Sequence, residues 1–211
     1  MKGMECRIGI ALAGIGKRYK DRELFRDLNL AVEPGDCLTV TGSNGSGKST
    51  LLKVMAGLLK ASEGKVSYSR NGQDLNRDEW FEYFGMVSPE VVMYQHLTGE
   101  ENVGFFCRTR GLSVSAGEIA ACCRTAGLVR AASNRVHTYS TGMKQRLKFA
   151  VLLAVNPACW ILDEPSSNLD GEGRVWLRQL VHSVLSREKT VILATNEPAE
   201  VEYATKSITL G

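Results

Sequence analysis

A chain of 211 residues is long enough for one domain with a sizeable buried core, and 44% hydrophobic with 23% charged residues excludes disordered and fibrous classes. The net charge of +3 comes without any run of Lys and Arg, so no nucleic-acid partner is expected.

Met1 to Arg7 carries Lys2 and Arg7 ahead of the apolar stretch Ile8 to Gly16, which loosely imitates a secretion signal. A first β-strand over Ile8 to Ala13 is the better reading, because Lys17-Arg18-Tyr19-Lys20 follows with no convincing cleavage site. Leu28 to Val32 alternates as a second strand and stops at the turn Glu33-Pro34-Gly35-Asp36. Cys37 to Thr41 is a short apolar run of the kind a buried strand needs, and it leads through a glycine-rich loop into a helix over Lys48 to Leu59. Glu63-Gly64 reads as a turn, and Lys65 to Tyr68 as a strand that ends at Asn71-Gly72. From about Asp78 to Val136 the pattern turns helical, with segments near Glu100 to Arg110 and Ser115 to Ala126. Thr141 to Val155 puts Met143, Leu147, Val151 and Ala154 on one helical face. Cys159 to Leu162 and Thr190 to Ala194 are buried strands, with a helix over Gly173 to Leu185 between them. Strands alternating with helices imply an α/β sheet, and the insertion over 78–136 a helical subdomain within a single 1–211 domain.

The six cysteines (Cys6, Cys37, Cys107, Cys122, Cys123, Cys159) show no CxxC pair or metal-ligand spacing and read as idle thiols of a reducing cytosol. His137 stands alone and reads as a surface or packing residue. No apolar run approaches the ~18 residues of a membrane span, so any membrane belongs to a partner.

Gly42-Ser43-Asn44-Gly45-Ser46-Gly47-Lys48-Ser49, followed by Thr50, fits the phosphate-loop pattern GxxxxGK[ST]. Backbone N–H groups converge on a phosphate only where no Cβ intervenes, hence the glycines, and the helix that follows adds its positive N-terminus. Lys48 is expected on the β- and γ-phosphates of ATP and Ser49 on Mg²⁺. Cys159 to Leu162 ends in Asp163-Glu164: the first carboxylate would hold Mg²⁺ through its water shell, and the second would orient or deprotonate the attacking water.

The order of these motifs, with Tyr139-Ser140-Thr141-Gly142-Met143-Lys144-Gln145-Arg146 before Asp163-Glu164-Pro165 and Ser167-Asn168-Leu169-Asp170 after it, resembles the ABC ATPase family over nearly the whole chain. The resemblance implies a P-loop NTPase core with an N-terminal antiparallel β portion and a helical subdomain. It also implies that Ser140 and Gly142, at a helix start, face the γ-phosphate of a second copy in an ATP-bound homodimer. Tyr19 lies where the family stacks a ring on adenine.

Two departures bear on rate. The family's switch histidine should follow Thr195, and this chain has Asn196, a neutral amide. The family's loop glutamine falls on Pro89, so either Glu90 takes its metal and water contact after a one-residue shift or the contact is lost. The expected catalytic set is thus Lys48, Glu164 and Asn196.

The signature stretch is most similar to exporters with separate permeases. The short chain, with Ala194-Thr195-Asn196-Glu197, also resembles the haem-exporter ATPases of cytochrome c maturation. The protein is accordingly expected on the cytoplasmic face of the membrane, bound to a permease that selects the cargo. Two competing readings are a cassette acting on DNA or ribosomes, against which stand the single motif set and the lack of coiled-coil heptads, and a slow regulatory ATPase, which Pro89 and Asn196 favour.

Overall fold

The computed structural model describes residues 6–20 and 22–211. It divides into two compact units, one comprising the chain up to Phe84, Ala158–Glu164 and Arg178–Gly211, the other Gly85–Pro157 and Pro165–Leu177. Met1 to Glu5, where the signal-like stretch begins, lie outside the described residues.

The chain opens with β1 (Ile8–Tyr19), β2 (Arg22–Val32), β3 (Cys37–Gly42), α1 (Lys48–Met55), β4 (Glu63–Arg70), β5 (Gln73–Leu75) and α2 (Arg77–Tyr83). Next come β6 (Phe84–Val87), α3 (Gly99–Thr109), α4 (Ala116–Thr125) and α5 (Thr141–Val155). It closes with β7 (Cys159–Asp163), α6 (Gly171–Leu185), β8 (Thr190–Ala194), α7 (Pro198–Val201) and β9 (Lys206–Leu210).

The first unit holds an antiparallel sheet in the order β2-β1-β4-β5. In it Ile10 is flanked by Val32 on one side and Tyr68 on the other. β1 runs well past the Ala13 expected from alternation. Its register slips between Leu12 and Ile15 and again before Lys17 and Arg18, and each slip breaks the period of two by which a strand is recognised.

The same unit holds β7, β8, β3 and β9 side by side, all parallel. Every residue of β7 and β8 is buried, which accounts for the apolar runs Cys159–Leu162 and Val191–Ala194. β9 carries no such signal, because as an edge strand it alternates polar residues with Ile208 and Leu210.

Two expectations need correction. The stretch from Asp78 is not wholly helical, since β6 follows directly on α2. The helix at Lys48 ends at Met55 rather than Leu59, because Gly57 turns to a φ of +72°.

α2 is started by a reciprocal cap between Asn76 and Glu79, and it carries Trp80, one of two fully buried tryptophans. The indole stacks on Tyr68 at 4.5 Å and on Phe84 at 5.3 Å, and its N–H donates to the Ala56 carbonyl at 3.0 Å. Trp80 therefore fixes the C-terminal end of α1, the helix whose other end carries the glycine-rich loop.

In the second unit α3, α4 and α5 bury a core that includes Val103, Cys107, Cys123, Val136, Tyr139 and Leu147. The buried amide of Asn102 is fully used, accepting from Tyr94 N and donating to the carbonyls of Tyr94 and Thr98. The cysteines carry free thiols. No helix among the described residues is long and apolar enough to cross a membrane.

Trp80→Ala should cost about 3–5 kcal/mol in urea denaturation, through lost packing and an orphaned Ala56 carbonyl. Trp80→Phe should cost less, because it keeps most of the stack and loses mainly the hydrogen bond.

Candidate functional site

The site begins where β3 ends. Gly42 has a φ of +143°, and a Cβ there would lie 2.1 Å from the Leu210 carbonyl oxygen, so no side chain fits. The chain then closes a tight turn, with Ser46 N donating to Ser43 O at 3.1 Å. Gly47 caps α1 at a φ of +105° and packs against Leu24 and Phe25 of β2. Lys48 is only 7% exposed, and its ammonium donates to the Gly42 carbonyl at 2.7 Å and the Ser43 carbonyl at 3.2 Å. Its charge therefore sits inside the loop formed by Gly42, Ser43, Asn44, Gly45, Ser46 and Gly47. Ser49 and Thr50 open α1 behind it.

Arg22, which no sequence motif singles out, donates to the Gly45 carbonyl at 2.9 Å. Only the pairing of β1 with β2 brings that guanidinium to the loop, and no local pattern marks it. Tyr19, at the end of β1, is 49% exposed, with the Lys17 ammonium over its ring at 4.8 Å from the centre.

Asp163 and Glu164 end β7 on the same edge of the sheet as the glycine-rich loop. Asp163 is 4% exposed. Glu164 leaves the strand at a φ of +48°, a strained conformation for a residue with a Cβ, and its N–H is held by the Ala194 carbonyl at 2.9 Å. Burial pushes the Glu164 carboxyl above its ordinary range; Lys48 pulls it down, while Asp163, Glu200 and Glu197 push it up further. A carboxyl tuned upward in this way is a better proton acceptor at neutral pH than an exposed one.

Asn196 comes from the end of β8. Thr195 N donates to the Val40 carbonyl at 3.1 Å, and the Asn196 amide donates to Asn44 Oδ1 at 3.0 Å. Asn44 and Asn196 line an open cleft of about 610 Å³ together with Thr41, Gly42, Pro198 and Val201.

The remaining candidates belong to the second unit. Ser140 caps α5, its hydroxyl accepting from Met143 N at 3.2 Å. A Cβ on Gly142 would lie 2.9 Å from the Asn168 carbonyl, so only glycine fits between the helix start and that loop. Gln145 donates to the Pro165 carbonyl at 2.8 Å. Glu90 is exposed and follows Ser88, whose carbonyl accepts from Lys148 at 2.8 Å.

The Ser49 hydroxyl and the Asp163 carboxylate are hard oxygen donors that fit Mg²⁺, an ion that keeps several waters and leans on substrate phosphates. No group of three His, Cys, Asp or Glu able to hold a metal ion occurs among the described residues.

Comparison with known proteins agrees with this geometry. The family profile described as ABC transporter matches residues 25–167. The chain is 31% identical over 192 residues to an uncharacterised ABC transporter ATP-binding protein of Bacillus subtilis, covering 90% of this chain and 62% of that protein. It is 35% identical over 184 residues to a cytochrome c biogenesis ATP-binding export protein of Pseudomonas aeruginosa, covering 84% of this chain and 87% of that protein. Among solved structures it superposes with a TM-score of 0.83 on an ATP-binding cassette dimer in a post-hydrolysis state bound to ADP and Pi, at 26% identity over 95% of this chain and 94% of the other. The chain belongs to the ABC transporter family, as an ATPase cassette that binds and hydrolyses ATP.

Proposed function

We propose that this cassette powers an exporter, working against a separate membrane permease from the cytoplasmic side. The observation that carries the ATPase part of this reading is the convergence on one sheet edge of a buried Lys48 inside a glycine loop, the Asp163-Glu164 pair and Asn196. Export is favoured by the likeness to the cytochrome c biogenesis export protein. The resemblance of Ala194-Thr195-Asn196-Glu197 to haem-exporter ATPases makes haem the finer reading of the cargo, which the permease would select.

On this reading the chain is one ATPase domain over 1–211, with 78–136 forming most of its helical subdomain. The loop amides and the Lys48 ammonium receive the phosphates. An ammonium has three N–H groups, and the two loop carbonyls use two of them, leaving one for a phosphate oxygen. Tyr19 stacks on adenine. Ser49 and Asp163, with Glu90 as a further candidate, hold Mg²⁺, which supplies positive charge against the β- and γ-phosphates. Glu164 accepts a proton from the attacking water, and Asn196 acts at the γ-phosphate as a neutral group.

A loop covers only one side of a triphosphate. Ser140 and Gly142 at the start of α5 offer unpaired helix N–H groups to the terminal phosphate held by a second copy, which makes the working unit a head-to-tail homodimer. The dimeric state of the related cassette supports this arrangement. ATP binding would close the dimer and hydrolysis release it, moving the permease between two states.

Lys48→Ala should remove most nucleotide affinity, because it deletes the buried ammonium that the loop surrounds. A titration with labelled ATP checks this, and unchanged affinity would remove the loop from the site.

Glu164→Gln should leave ATP binding within a few-fold and abolish most turnover, while an ATP-stabilised dimer becomes visible on a sizing column. In the wild type, turnover should fall as pH drops through the raised Glu164 pKa, above the ordinary 4.5, because the protonated carboxyl cannot take a proton from water. Turnover of Glu164→Gln close to wild type would mean that another group activates the water.

A further inference from the structure

β2 meets the glycine-rich loop at two points. Leu24 and Phe25 pack against Gly47, where an added Cβ would lie 3.2 Å from the Phe25 ring, and Phe25 is itself only 6% exposed. Two residues before Leu24, Arg22 donates to the Gly45 carbonyl at 2.9 Å. The backbone of Arg22 is held by the ladder, where it pairs with Tyr19 of β1. The guanidinium therefore reaches the loop from a platform that strand pairing and packing already fix.

The bond falls on a peptide that also closes the turn. The N–H of the same peptide unit, on Ser46, donates to the Ser43 carbonyl at 3.1 Å. A trans peptide carries its oxygen and its hydrogen on opposite sides, so the two bonds together fix both its plane and its sense. Gly45 stands at a φ of +82°, and glycine leaves the peptide after it more freedom to rotate than any other residue would. The sense matters because a carbonyl oxygen repels an anion, whereas a loop that receives one must present N–H groups. The Gly42 and Ser43 oxygens are engaged by the Lys48 ammonium, and the Gly45 oxygen is engaged by Arg22.

We propose that Arg22 is a positioning residue for nucleotide binding, which keeps the loop in its phosphate-receiving shape before any nucleotide arrives by holding the Gly45 oxygen. This rests on the ATPase reading above and deepens it, adding a residue that acts through the loop and has no need to touch the nucleotide. A binding-competent state that is populated only in part weakens apparent affinity by that fraction. Once phosphates occupy the loop they hold the peptide themselves, so the contribution of Arg22 lies in association rather than in the chemical step.

The test is stopped-flow binding of labelled ATP and labelled ADP, with steady-state hydrolysis, for wild type, Arg22→Ala and Arg22→Lys at low and at high salt. In Arg22→Ala both Kd values should rise about five- to tenfold, equally for the two nucleotides, while kcat at saturating ATP stays within about twofold. The rise should come from slower association, with dissociation within about twofold, and it should persist at high salt, where steering by a single charge is screened. Arg22→Lys keeps a charged donor and should recover most of the affinity. Arg22 is exposed, so the variants should fold; if Arg22→Ala melts below the assay temperature, Arg22→Met replaces it.

A change in affinity of less than about threefold, a loss confined to ATP, or faster dissociation at an unchanged association rate would each overturn the proposal and leave the ATPase reading intact. So would a deficit that disappears at high salt, or an Arg22→Lys variant no better than the alanine. A wild type that binds neither nucleotide would instead overturn the ATPase reading and this refinement together.

Discussion

Two backbone hydrogen bonds at the edge of the parallel sheet hold the catalytic half of the protein in register. Thr195 N on the Val40 carbonyl aligns the end of β8 with the end of β3, and Glu164 N on the Ala194 carbonyl aligns β7 with β8. Three chain segments far apart in sequence thereby turn out of the sheet at one level, one as the phosphate loop, one as Asp163-Glu164 and one as Asn196. In open α/β sheets the carboxyl ends of the strands are where ligands bind, and here the cause is visible in individual donors and acceptors. The strands behind them are wholly buried, so the edge inherits the rigidity of the core.

The candidate site residues are divided between the two units. The first carries the loop, the carboxylates, Tyr19 and Asn196. The second carries Ser140, Gly142 and Glu90 on or beside a helical core. The anchoring differs accordingly. Lys48 and Asp163 are almost entirely buried, whereas Ser140 and Glu90 are exposed and held by local capping and loop contacts. On the proposed reading a buried ammonium suits a group fixed on a phosphate and a buried carboxylate one fixed on Mg²⁺, while the exposed ends suit groups that would meet a second copy only part of the time.

Much of this was legible from residue order. The glycine pattern, the apolar strand before it and the paired carboxylates after Leu162 are local signals, and local signals survive in a sequence. β9 and the outer half of β1 were not legible, because an edge strand and a bulged strand lack the regular period that marks a buried one. Nor was β6, only four residues long and directly abutting α2. The contacts that complete the site share a different obscurity. Arg22 on Gly45 and Asn196 on Asn44 depend on strand pairing and on the alignment of the sheet edge, so neither partner carries a mark of the other. The Glu164 position could be read, but its backbone strain could not, since nothing in an Asp-Glu pair announces a left-handed φ.

The placement of the three tryptophans gives the molecule a built-in set of optical labels. Trp80 and Trp160 lie in the first unit at 0% and 1% exposure, one against the far end of the phosphate-loop helix, the other three residues before Asp163. The Trp160 indole N–H is buried with no hydrogen-bond partner, an apolar setting that shifts emission toward the blue. Trp176 belongs to the second unit, is half-buried, and lies beneath the Arg146 guanidinium at 4.9 Å with its own N–H on the Thr125 carbonyl. A soluble quencher therefore reaches one unit's fluorophore and not the other's, and the intrinsic emission of the unmodified protein separates events in the signature unit from events in the phosphate-binding unit.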